Sequence, residues 1–163
     1  MNIFFKEEQR FSQWWIWLIL IGLGNIPIFG IYKQFILEEE FGNNPMSNLG
    51  LIVFSVFIFG IIALFWFVRL KTEIDKTEIR VSFFPFVKKQ FKWKDVKTVK
   101  LITYRFVGYG IRKGGSHEVI YNTSGNKGIS LELLNGKKYL IGTQKEVEFE
   151  ELLKRLEVNK NLH

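Results

Sequence analysis

The chain has 163 residues, with 23 Lys and Arg against 16 Asp and Glu, and no cysteine. This excludes a disulfide framework, a cysteine zinc site and thiol catalysis, and once the apolar runs before Leu70 are set aside it leaves one modest water-facing core. The mean hydropathy of +0.06 averages an apolar first half with a basic second half: from Arg69 onward 20 Lys and Arg stand against 11 Asp and Glu, a charge that suits anionic lipid or an acidic partner.

From Trp14 to Tyr32 the chain reads WWIWLILIGLGNIPIFGIY, without a charge and close to the roughly 20 residues a helix needs to cross hydrocarbon. Asn48 to Val68 meets the same test, and turn residues Gly42, Asn43, Asn44 and Pro45 lie between, so residues 1–70 are expected to form a tail and a transmembrane hairpin with spans at about 14–32 and 48–68. Lys6 and Arg10 flank the first span and Arg69, Lys71, Lys76 and Arg80 follow the second, whereas the connecting loop offers Lys33 beside Glu38, Glu39 and Glu40. Positive flanks stay inside, which predicts a multi-pass protein of the plasma (inner) membrane with both termini cytoplasmic. Trp14, Trp15, Trp17 and Trp66 would form an aromatic belt on that side. Glu7 and Glu8 spoil the basic start of a cleaved signal peptide. Asn25 and Pro27 read as structural: Asn25 is expected to bond to the partner helix, with Gly22, Gly24 and Gly30 allowing close approach.

After Val68 the pattern alternates as half-buried strands do. Seven strands are expected: Thr72 to Asp75, Thr77 to Phe84 ended by Pro85, Gln90 to Trp93, Thr98 to Tyr104, Glu118 to Asn122, a strand through Ile129, Leu131 and Leu133, and Lys138 to Gly142. Asn135-Gly136 signals a type I′ hairpin turn, and Ser124-Gly125-Asn126 another turn. Thr143 and Glu146 stand in capping-box spacing ahead of Phe149, Leu152, Leu153 and Leu156, one apolar helical stripe.

Seven antiparallel strands and a C-terminal helix behind two spans resemble the bacterial PH-like membrane proteins, a small two-span family. The local marks are Gly108-Tyr109-Gly110-Ile111-Arg112, Asn135-Gly136 and Ile141-Gly142-Thr143. The resemblance implies a membrane-anchored α+β protein in which residues 71–163 form a cytoplasmic PH-like seven-stranded β-barrel or sandwich with a C-terminal helix. It also implies a non-enzymatic domain that binds lipid or protein and self-associates. The short Asp75-Lys76-Thr77 loop departs from the long basic loop of phosphoinositide-binding relatives.

Two constellations stand out. Lys88, Lys89, Lys92, Lys94, Lys97 and Lys100 are interleaved with Phe91 and Trp93, a cationic run expected to face solvent and to lie close to anionic lipid or an acidic partner. The loop Arg105, Gly108, Gly110, Arg112 and Lys113 combines backbone freedom with charge; it lacks the third glycine and following helix of a dinucleotide fingerprint, and reads first as a turn or bulge. His117 and His163 are too few for a histidine metal site, and Ser116-His117-Glu118 are strand neighbours that point apart. No catalytic residue, metal, cofactor or nucleic-acid partner is expected. The sequence thus predicts an interaction module for a protein partner, for itself as a homo-oligomer, or for inner-leaflet lipid, with an accessory subunit of a transporter or secretion assembly as the alternative.

Overall fold

The computed structural model describes residues 3–105 and 108–160. The chain divides into two compact units, Ser12–Phe67 and a second assembled from Met1–Phe11 together with Val68–His163.

The first unit holds α1 (Trp14–Ile31), continued by one π-helical turn (Tyr32–Ile36), and α2 (Asn48–Phe67). Both are long and apolar enough to cross a membrane, and most of their side chains are exposed apolar groups. Gly24 and Gly30 face α2: a Cβ on Gly24 would lie 3.1 Å from Ile62, and one on Gly30 3.0 Å from Leu51 and 2.9 Å from Phe41, whereas Gly22 faces open space. The glycines therefore act as expected at two of the three positions. Asn25 does not bond to the partner helix; its Nδ2 donates to the Ile21 carbonyl of its own helix at 2.8 Å. That satisfies the amide locally, with no partner on α2 required. Trp17 and Trp66 meet edge to face at 5.6 Å, which puts the start of α1 beside the end of α2.

The second unit contains nine strands among the described residues, two more than expected: β1 (Ile3–Arg10), β2 (Arg69–Asp75), β3 (Glu78–Phe84), β4 (Val87–Lys92), β5 (Val96–Thr103), β6 (Gly110–Gly114), β7 (His117–Asn122), β8 (Lys127–Leu133) and β9 (Lys138–Gly142). They form a four-stranded sheet ordered β1-β2-β3-β4 and a five-stranded sheet ordered β5-β8-β9-β7-β6. Both sheets contribute to one core, with Leu70, Ile74, Ile79, Val81 and Phe91 from the first and Tyr121, Ile129, Leu131 and Ile141 from the second. No closed barrel forms among the described residues, and the strands are not all antiparallel: β7 and β9 run parallel, with Val119 opposite Tyr139 and Tyr121 opposite Ile141. The helix α3 (Glu146–Lys160) buries Phe149 and Leu152 against this core, and Phe149 meets Phe5 edge to face at 5.7 Å.

Two local expectations are corrected. Thr143 does not cap α3 in a capping box, because its hydroxyl donates to Glu7 Oε2 at 2.6 Å while accepting from the Lys145 amide. Asn135-Gly136 does not form a type I′ turn: the Gly136 amide bonds to the Leu133 carbonyl and Gly136 alone takes a positive φ of 80°, the three-residue loop with a glycine bulge.

The N-terminal segment, expected to be a tail, is strand β1, and the strand domain therefore does not begin after residue 70. Phe5, Glu7 and Gln9 point inward. Glu7 and Gln9 are only 4% and 3% exposed, and both are satisfied by the second sheet and the turns beside it. Glu7 accepts from Thr143 and from the Gln144 amide at 2.7 Å; Gln9 Nε2 donates to the Gly142 carbonyl at 2.7 Å, and its Oε1 accepts from Thr123 at 2.9 Å. Removal of the Glu7 carboxylate leaves a buried hydroxyl and a backbone amide without a partner, so Glu7→Ala is expected to cost about 1–3 kcal/mol for each group.

Burial pushes the Glu7 carboxyl up, against the lowering pull of Thr143, Gln144 and Lys145. A raised carboxyl binds its proton more tightly folded than unfolded, so its ionisation costs stability above the raised value and the cost is relieved as pH falls toward the ordinary 4.5. Thermal unfolding of detergent-solubilised protein should therefore show wild type gaining on Glu7→Gln between neutrality and that pH. A wild type that instead loses ground over the same interval would mean the hydrogen bonds outweigh desolvation.

Candidate functional site: a basic end of the first sheet

Ladder registers define the ends of the first sheet. Arg10 pairs with Arg69, Arg69 with Phe84, and Phe83 with Val87, so the chain's exit toward α1, its return from α2 and the β3–β4 turn share one end. Ile3 opposite Asp75 and Glu78 opposite Lys92 mark the other end, about 20 Å away at the usual rise per residue.

The six lysines of the sequence reading fall into three groups on this frame. Lys88 and Lys89 follow the β3–β4 turn on β4, Lys88 in the row of Lys71 and Lys89 in the row of Thr72 at the middle of the sheet; as strand neighbours they point to opposite sides, and both are exposed. Lys92 and Lys94 lie at the far end. Lys97 and Lys100 border a groove of about 460 Å³ with Trp93, Val96, Val99, Leu153 and Leu156, and Lys97 pairs with Glu132 at 2.9 Å. Among the described residues Lys88, Lys89, Lys92, Lys94 and Lys100 form no ion pair. The run is continuous in sequence but is not one surface.

The glycine loop is largely a strand. Residues 110–114 form β6, with the ladder shifting between Arg112 and Gly114, which is the irregularity the glycines suggested. Gly108 and Gly110 have φ of 85° and 96°. The fully buried Asn122 donates to the Gly108 carbonyl at 3.2 Å, and the Arg112 guanidinium occupies the space a Gly108 Cβ would need. Arg112 and Lys113 border a surface cavity of about 540 Å³ with Tyr104, His117, Ile120 and Leu140, and burial pushes the Tyr104 phenol up to about 12. Arg105 is exposed. Tyr109 meets Phe11, the last residue of this unit before α1, edge to face at 6.4 Å, so the loop also stands near the chain's exit toward α1.

Ser116 and His117 do touch, contrary to the expectation that they point apart, because Ser116 lies in the turn before β7; Oγ is 3.0 Å from Nδ1, and His117 Nε2 is 3.0 Å from Ser130 Oγ. Glu118 pairs instead with Lys137 at 3.4 Å, so no carboxylate orients the imidazole. Burial, with Lys138 adding to it, lowers the His117 pKa. His163 lies outside the described residues.

Sequence reasoning did not single out the cluster at the helix-proximal end. Here Arg10, Arg69 and Lys71 surround a single carboxylate, Glu8, which pairs with them at 3.4, 3.0 and 3.2 Å, and Lys88 lies on the same row of the ladder as Lys71, two strands further on. Burial, the largest single effect, pushes the Glu8 carboxyl up, but Lys71, Arg69 and Arg10 together hold it below its ordinary value. Toward the far end Arg80 meets Glu73, Asp75 and Glu78, and Lys6 meets Glu73, while Lys92 and Lys94 form no ion pair among the described residues. The sequence did carry a signal, since Arg10, Arg69 and Lys71 flank the apolar runs, but only the ladder joins them to Lys88 and Lys89. No protein-family model and no curated protein matches the chain.

Glycine demand in the loop is testable. Gly108→Ala should lose about 1–2 kcal/mol from left-handed strain, with the Arg112 guanidinium displaced as well. A Cβ at Gly110 would meet no atom within 4 Å, so Gly110→Val should lose about 1–3 kcal/mol chiefly from its positive φ. Unchanged melting temperatures for both would show that the loop tolerates side chains and is not held in this conformation.

Proposed function

We propose that the chain is a membrane-anchored interaction module with no catalytic activity: α1 and α2 cross the bilayer as a hairpin, and the strand unit works at the cytoplasmic face of the plasma (inner) membrane, on anionic lipid, a protein partner or a second copy. The observation that carries this is the composition of the strand unit. Residues from before α1 and after α2 pair in one ladder, so both flanks lie on the same side of any membrane the helices cross. That same end of the ladder bears the cation excess, and retained positive flanks identify the cytoplasmic side.

The PH-like reading is supported by layout: two sheets over a shared core with a C-terminal helix against it. The parallel β7–β9 pair departs from a simple meander, so the likeness is one of architecture and does not extend to strand order. The accessory-subunit reading has less support, because Gly24, Gly30 and Asn25 are already engaged within the helical unit.

Single cysteines test the topology in a chain that has none of its own. Asn43 and Asn126 are both exposed. On intact cells an impermeant thiol reagent should label Asn43→Cys and leave Asn126→Cys unreacted until the membrane is opened. Labelling of Asn126→Cys on intact cells would overturn the proposed orientation.

A further inference from the structure

The turn between β3 and β4 exposes two large aromatic side chains side by side. Phe83 is buried in the core, but Phe84 and Phe86 are 45% and 56% exposed, joined by Pro85 and closed by a 2.8 Å bond from the Phe86 amide to the Phe83 carbonyl. Single exposed apolar residues are ordinary on a protein surface, and Leu134 and Val147 are examples. The Phe84–Phe86 pair differs in place and company. Leu134 bonds to Asp95, which follows Lys94 at the far end. Phe84 instead pairs with Arg69, two residues beyond the end of α2, and Lys88 and Lys89 come after Val87 on β4.

A tether of two residues cannot carry Arg69 more than about 7 Å from the end of α2. Its ladder neighbour Phe84 is therefore held close to the level at which α2 leaves the hydrocarbon. Aromatic rings are favoured at that level, and lysines beside them gain from anionic headgroups. We infer that the Phe84-Pro85-Phe86 turn, with Lys88 and Lys89 following on β4, is a third membrane contact that inserts both rings into the headgroup region of an anionic leaflet. This rests on the anchoring reading above and adds a contact that orients the strand unit: two covalent connections define a line, and a third point away from that line defines a plane.

The test uses the full-length protein reconstituted into phosphatidylcholine vesicles containing phosphatidylserine, with a single cysteine at Phe86→Cys or Phe84→Cys carrying an environment-sensitive fluorophore, and Asn135→Cys as the reference. Both turn probes should be quenched several-fold more than the Asn135 probe by nitroxide-bearing lipid and several-fold less by a water-soluble nitroxide. Replacing Lys88 and Lys89 with Gln should reduce the lipid quenching in these vesicles. Turn probes as open to the aqueous quencher as Asn135, or shielded from both quenchers as burial against a second copy would make them, overturn the inference. Resistance to alkaline carbonate extraction, measured on the same vesicles, separates the two readings: an extracted protein defeats the anchoring itself, whereas a retained protein with water-exposed turn probes defeats only the third contact.

Discussion

Two polar side chains of β1, Glu7 and Gln9, do what apolar side chains do elsewhere along the inward faces of these strands: they tie one sheet to the other. Their partners lie 114 to 137 residues away in sequence, at Thr123, Gly142, Thr143 and Gln144. A buried carboxylate or amide is tolerated only when its hydrogen bonds are made, so the bridge requires β1 to lie at one register on β2. A slip of one residue would put Lys6 and Glu8 into the core and Phe5 into solvent. Because β1 ends four residues before α1 and β2 starts two residues after α2, that register also determines where the chain passes between its two units.

The same constraint bears on how the strand unit is assembled. The β2–β3 and β3–β4 ladders are local and close through short turns, the first held by the Asp75 carboxylate, which accepts from the Thr77 amide at 2.7 Å and the Glu78 amide at 3.0 Å. β1 is separated from β2 by the whole helical unit, and joining the ends of a free segment of that length carries a closure entropy. Antiparallel packing of α1 and α2, evident where Trp17 meets Trp66, brings the two ends of that segment near one another.

The parts legible in the sequence were those whose signal is local. The uncharged runs gave the two apolar helices, the alternation of Ile79, Val81 and Phe83 gave β3, and the Phe149, Leu152, Leu153 and Leu156 stripe gave α3. β1 was hidden because its inward face mixes Phe5 with Glu7 and Gln9, which reads as a charged tail until partners more than a hundred residues away are known. β6 was hidden among glycines that normally mark a loop, and the parallel β7–β9 pairing has no local signature at all. The lysine run was read correctly as solvent-facing, but its division among two sheet ends and a groove depends on registers that single-strand patterns do not carry.

Charge along the first sheet follows from those registers. Toward the far end Glu73, Asp75 and Glu78 surround Arg80, and Thr77, with Glu78 and Arg80 adding to it, holds the Asp75 carboxyl below its ordinary value. At the helix-proximal end one carboxylate is shared by three cations, and Lys88 follows on the same row of the ladder as Lys71. Screening at physiological ionic strength acts over about 8 Å, less than half the length of the sheet, so the far lysines contribute little to the potential at the near end. The near end thus sets one carboxylate among its cations, whereas the far end sets Glu73, Asp75 and Glu78 among its own.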